Sequence, residues 1–255
     1  ITRLNHEADI MVVLDISKSM LAEDAPPNRL ERSKAAITEM VDQFVGYRVG
    51  LVGFAGRGSV LCPLTKDYGY FHLSLDAASP MSISRGGTNI GDGLRKALDS
   101  FSDGQAARLL ILITDGEDHD SFPMEAAKQA KALGVPIVAI GFGDENGSEI
   151  MITDPKTGER SRVVDQNGKP VVTRLDGELL RTIALETEGV FVPAGVASLD
   201  LTSIISEHIQ PIVSEVKKDE QSFVARELYP PFILLGLVAF FLSIWTGVLR
   251  EEGKL

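Results

Sequence analysis

The chain has 255 residues, 44% of them hydrophobic and 24% charged, with a formal net charge of -11. This leaves room for one α/β domain plus an appendage, and excludes a disordered chain or a polytopic membrane protein. The acidic balance disfavours nucleic acid as a partner and favours cations, while a single cysteine excludes an internal disulfide or a Cys-rich zinc site.

Residues 1–8 are a lead-in. Residues 9–14 (DIMVVL) form a short apolar run that ends in a polar loop, the pattern of a strand buried on both faces. A helix is expected over 29–44, with Leu30, Ile37, Met40, Val41 and Phe44 at helical spacing. Residues 47–54 (YRVGLVGF) and 58–61 read as strands, and Cys62 at the end of the run SVLC as a buried, inert thiol. Helices follow within 68–78 and over 90–101, then the strongest strand signal, RLLILIT at 108–114. A helix over 123–133 leads through Gly134, placed as a C-cap, into a strand at 135–140. A helix at 179–188, a strand at 189–192 and a helix at 199–213 complete the domain, set at 9–213.

Strands alternating with helices across short loops imply a doubly wound, mostly parallel sheet covered on both faces. The rhythm breaks at 150–175, where the turn signals PKTG and QNG separate short β-like runs; this segment reads as an inserted β flap. After a linker at 214–230, residues 231–249 contain FILLGLVAFFLSIWTGVL, an uncharged run of about 18 residues, long enough for a transmembrane helix. Tyr229-Pro230-Pro231 and Arg250 bound it, and 250–255 is a tail. Basic residues on its two sides are too evenly matched to orient it.

Three oxygen-rich loops lie at the ends of predicted elements: Asp15-Ile16-Ser17-Lys18-Ser19, Gly86-Gly87-Thr88-Asn89, and Thr114-Asp115-Gly116-Glu117-Asp118. Loops leaving the carboxyl ends of parallel strands form the ligand-binding edge. Converging hydroxyl and carboxylate oxygens suit a hard cation, with Mg²⁺ expected and Mn²⁺ the alternative. Glu117 and Asp118 are expected at the rim or in a surrounding shell, within a solvated acidic loop. Asp144 and its neighbours are expected at the rim, Asp92 as first-turn helix charge, and His6, His72 and His208 as structural.

The pattern DISKS, GGTNIGDG, ILITDGED resembles the metal-ion-dependent adhesion site (MIDAS) of von Willebrand factor A (VWA) domains. The stretches NRLERSK, VGLVGFAG and LCPLTKD extend the resemblance to the bacterial Bat aerotolerance group, BatB-like member, over nearly the whole chain. The resemblance implies Ser17, Ser19 and Thr88 as hydroxyl ligands, with Asp15 and Asp115 acting through water or hydrogen bonds. Neutral direct ligands leave the cation able to take a partner protein's carboxylate. Lys18 departs from the family's usual small residue; it either points to solvent, weakens the cation by repulsion, or adds a contact to the incoming carboxylate.

The resemblance further implies a non-enzymatic interaction module of the bacterial inner membrane, with its VWA domain in the periplasm. Its implied partners are sibling VWA membrane proteins and a MoxR-type AAA+ ATPase. A scaffold with a vestigial metal site is the alternative. A metal-dependent phosphohydrolase is disfavoured, because Asp15 is followed by Ile16-Ser17 rather than a second Asp and no phosphate loop ending Gly-Lys-Ser/Thr is present.

Overall fold

The computed structural model describes residues 8–44, 46–83, 86–102, 106–119, 121–153, 157–165, 167–195, 204–211 and 233–238. The chain divides into two units, Ile1–Lys218 and Asp219–Leu255.

The first unit is an α/β sandwich around six strands. These are β1 (Ala8–Asp15), β2 (Arg48–Phe54), β3 (Gly58–Thr65), β4 (Ala107–Thr114), β5 (Ile137–Phe142) and, after a four-strand insertion, β10 (Phe191–Gly195). Their spatial order is β10-β5-β4-β1-β2-β3. All neighbours pair in parallel except β2 and β3, which form an antiparallel edge hairpin. The expected mostly parallel sheet is therefore present, and β3 runs four residues past the predicted 58–61.

Every residue of β1 is buried. Because successive side chains leave a strand on opposite faces, Ile10, Val12 and Leu14 pack on one side and Met11 and Val13 on the other. The first side is covered by α1 (Arg29–Asp42) and α2 (Tyr68–Ala77), through Leu30, Ile37, Met40, Val41, Phe71 and Leu75. The second is covered by α3 (Ile90–Leu98), α4 (Pro123–Ala132) and α5 (Gly177–Glu186), whose Leu94, Ala126, Ala130, Leu180 and Ile183 meet Leu110 and Leu112. From β1 the chain crosses on one face to β2, then returns on the other face to β4. The order reverses between β1 and β4, and the crevice at their carboxyl ends is where such sheets bind ligands.

The flap is two short ladders: β6 (Ser148–Glu149) pairs with β9 (Val172–Thr173), and β7 (Met151–Thr153) with β8 (Arg160–Arg162). Within the predicted helix at 199–213 the described residues form a π-helical turn, Ile205–Ile209, with buried Ile204, Ile205 and Ile209 against the α1 side.

Of the second unit, residues 233–238 are helical, with Ile233, Leu234 and Leu235 exposed. The rest of the apolar run at 231–249 lies outside the described residues. Among the described residues no helix is long and apolar enough to cross a membrane.

Candidate metal centre

The first loop of the site is the direct continuation of β1. Asp15, 0% exposed, accepts the Ser17 backbone N–H on Oδ1 at 2.8 Å and the Thr114 hydroxyl on Oδ2 at 2.6 Å. The loop thus turns back on its own carboxylate, which is simultaneously clamped to the end of β4. Ser17 and Ser19 are buried with their hydroxyls 2.8 Å apart. Lys18 between them is exposed.

The third loop leaves β4 at Thr114. Asp115 is 0% exposed; its Oδ1 accepts the Glu117 N–H at 3.2 Å and its Oδ2 accepts Arg29 Nη1 at 3.0 Å. The Thr114 hydroxyl on Asp15 joins the first and third loops.

The second loop is tied to the third loop and to the end of β2. The His119 N–H donates to the Thr88 carbonyl at 2.9 Å, and the Asn89 N–H to the Ala55 carbonyl at 2.7 Å, while Thr88 itself is buried. Asp118 makes the junction: it accepts the Ile90 N–H at 2.9 Å and the Ser121 N–H at 3.0 Å, and also the Ser121 hydroxyl. Ser121 in turn accepts the Gly91 N–H at 2.7 Å.

Asp118 is thus not part of a freely solvated loop. It satisfies the Ile90 N–H at the start of α3 from a distant segment, while Ser121, which it holds, satisfies that of Gly91. Gly91 is required by this closeness, since a Cβ there would fall 2.2 Å from the Ser121 carbonyl oxygen. Gly91→Ala is expected to cost about 2–3 kcal/mol, through overpacking against backbone, and to loosen the Thr88 loop. Thermal unfolding beside the parent protein measures it; an unchanged midpoint would mean α3 slides without penalty.

Asp92 does more than place charge in the first turn of α3: its Oδ2 accepts the Gly58 N–H at 2.6 Å and ties the β2–β3 hairpin down. Glu117 reaches the flap side, accepting the Arg174 N–H at 3.1 Å. Asp144 lies beside the Asp24 carboxylate, its N–H 3.2 Å from Asp24 Oδ2, consistent with a rim position. His72 bonds Asp42 at 3.0 Å on the α1–α2 side, and Cys62 is buried with its thiol pushed up by burial. Among the described residues no group of three or more His, Cys, Asp or Glu side chains is placed to hold a metal. Asp120 lies outside the described residues.

Sequence reasoning missed Arg29. It is 0% exposed at the start of α1, pairs in two-pronged fashion with Asp24 through Nε at 2.8 Å and Nη2 at 2.6 Å, and reaches Asp115 with Nη1. A signal was present: a cation in the first turn opposes the helix macrodipole. An arginine directly after the Asn28 cap therefore needs a compensating anion nearby.

Burial raises the Asp15 carboxyl to about 7, with the Asp115 charge adding to the effect and the Thr114 and Ser17 hydrogen bonds opposing it. Burial also raises Asp115, against the pull of Arg29 and Ser19. Burial works the same way on Asp24, but its bonds to Arg29 outweigh it and hold that carboxyl below the ordinary value. Two buried carboxyls beside buried hydroxyls are an environment that a hard cation relieves, so the donor set present fits a divalent metal.

Comparison with known proteins agrees with this architecture. The family model of the von Willebrand factor type A domain matches residues 9–169. The crystal structure of BatB from Bacteroides thetaiotaomicron is 33% identical, with a TM-score of 0.74, covering 83% of this chain and 99% of that one. A UPF0353 protein of Nocardia farcinica is 29% identical over 268 residues, covering 97% of this chain and 73% of its own length. Proximal thread matrix protein 1 of mussel byssus, solved with zinc in its MIDAS motif, shares the fold at 24% identity and a TM-score of 0.58, covering 85% of this chain and 47% of that one. The chain belongs to the von Willebrand factor type A domain family and, within it, to the BatB-like aerotolerance group.

Proposed function

We propose that this protein is a metal-dependent interaction module. In this reading Ser17, Ser19 and Thr88 hold a divalent cation directly, Asp15 and Asp115 act through water or hydrogen bonds, and a partner protein's carboxylate completes the shell. The observation that carries it is the meeting of three loops at the β1–β4 crevice, with hydroxyls and two carboxylates buried together. When bound, the cation would supply an electrophilic centre for an anionic group; the chain's own residues would position it. Mg²⁺ is the expected ion and Mn²⁺ the alternative, since the donors are all oxygen. The zinc in the mussel protein's MIDAS motif supports a divalent ion at this place in the fold.

VWA domains serve in general as interaction modules, and the reading here is non-enzymatic. We extend it to a tether through 231–249 at the bacterial inner membrane, a periplasmic VWA domain, and a complex with sibling VWA proteins and a MoxR-type ATPase. The group resemblance supports this extension.

The test is calorimetric titration of Mg²⁺ and Mn²⁺, repeated on Asp15→Ala and Thr88→Ala. Saturating cation is expected to stabilise the parent by about 3 kcal/mol at a hundred times Kd. Thr88→Ala is expected to weaken binding by at least about tenfold. Absence of heat in the parent would put the scaffold with a vestigial site first, and phosphoester turnover lost in Asp15→Asn would restore the enzyme reading.

A further inference from the structure

The Arg29 guanidinium reaches three segments that are far apart in the chain. Nε and Nη2 hold Asp24, while Nη1 divides between Asp115 Oδ2 at 3.0 Å and the Thr173 hydroxyl at 3.1 Å. Thr173 belongs to β9, the return strand of the inserted flap, and is 1% exposed. Its own hydroxyl lies 3.3 Å from the same Asp115 oxygen. The backbone just beyond closes on the same loop: the Arg174 N–H donates to Glu117 at 3.1 Å and the Asp176 N–H to the Asp115 carbonyl at 2.8 Å. Gly143 makes room, because a Cβ there would sit 2.8 Å from the Arg29 Cζ.

A guanidinium is a rigid planar fork whose donors keep fixed angles. With two prongs committed to Asp24, the third cannot follow Asp115 without changing its bond to Thr173. The carboxylate at the candidate site and the strand that anchors the flap are therefore held by one group.

We propose that Arg29 and Thr173 are positioning residues that couple the metal site to the flap, so that occupancy at Ser17, Ser19 and Thr88 orders the return strand at 172–176. The proposal rests on the metal reading above. Fixing Asp115 toward a cation fixes the guanidinium and hydroxyl bonded to its Oδ2, and with them the strand they anchor. Linkage makes the effect reciprocal: whatever steadies the flap tightens the cation by the same factor. A partner that grips the flap and offers a carboxylate to the metal thereby reads both as one surface.

The experiment is hydrogen exchange over 148–176 in the full chain, with and without saturating Mg²⁺, beside calorimetry of the same samples. In the parent, Mg²⁺ is expected to slow exchange at 172–176 at least about fivefold, the lower end of site-to-site coupling. Thr173→Val keeps the shape and removes the hydroxyl; it is expected to bind Mg²⁺ more weakly by no more than the coupling factor and to lose the protection. Arg29→Lys keeps the charge and loses the fork, and is expected to behave alike. If that variant does not fold, Thr173→Val decides alone. Mg²⁺ heat without any change in the flap, or protection undiminished in Thr173→Val, overturns the coupling and leaves the metal reading standing. No Mg²⁺ heat in the parent overturns both.

Discussion

Arg29→Met is expected to destabilise the metal-free domain by about 3–5 kcal/mol, the cost of removing one partner from a buried ion pair. Methionine fills much of the space left by the arginine stem, so the loss is mainly electrostatic. Asp115, with a fully buried side chain, and Asp24, with its side chain 8% exposed, would both lose their counter-charge. The Thr173 hydroxyl would lose a donor as well. Urea unfolding measures the effect as a lower midpoint. Adding Asp115→Asn to the same background is expected to recover part of it, because the uncompensated buried charge is then gone. A loss below about 1 kcal/mol would resemble an exposed pair and would mean that water reaches the carboxylates once the guanidinium is absent.

The second large effect is a dependence on pH with an unusual sign. The Asp15 carboxyl titrates near 7 in the folded state against an ordinary 3.8, so the folded protein binds that proton more tightly than the unfolded chain does. Its contribution to stability is fully present below the unfolded value and is lost as pH rises through the folded one. Metal-free protein is therefore expected to weaken between about pH 4 and 7, by a total on the order of 4 kcal/mol. Asp24 acts in the opposite sense: its depressed carboxyl contributes stability above its ordinary value and loses it as pH falls through the folded one. Together they put the metal-free optimum in mildly acidic solution.

A cation reverses the Asp15 effect, because binding competes with the proton. Mg²⁺ affinity is expected to rise by up to about tenfold per pH unit below 7, where each unit is worth about 1.4 kcal/mol. Asp15→Asn should flatten the metal-free slope, make the protein more stable than the parent at pH 8, and abolish stabilisation by Mg²⁺. Melting curves at pH 5 and 8, with EDTA and with Mg²⁺, test all of these. An unchanged slope in Asp15→Asn would assign the titration to another group.

The lesson for reading such a chain lies in which contacts are local. DISKS, GGTN and TDGED were legible as oxygen-rich loops at element ends because each follows or precedes a run whose apolar pattern marks a strand or helix end. The structure puts them at the end of β1, before α3 and at the end of β4. The flap was legible from its turn residues, and the mostly parallel sheet from the alternation of strand and helix patterns. These are short-range signals, set by backbone preference and by side-chain periods of 2.0 and 3.6.

What the tertiary structure alone decided is which polar residues are buried, and against what. Arg29 and Arg32 stand three positions apart in RLERSK with nothing local beyond the dipole clue to separate them, yet Arg29 is wholly buried. Its partners Asp115 and Thr173 lie 86 and 144 residues away. Asp118 looked like part of a solvated acidic loop until the fold brought the first turn of α3 against it from 28 residues upstream. The same holds for Asp92 on the hairpin at Gly58. A charge enters the interior only where partners compensate its lost hydration, and those partners come from distant segments. The sequence by itself therefore determined the elements and the chemistry at their ends; packing decided how those ends share charge.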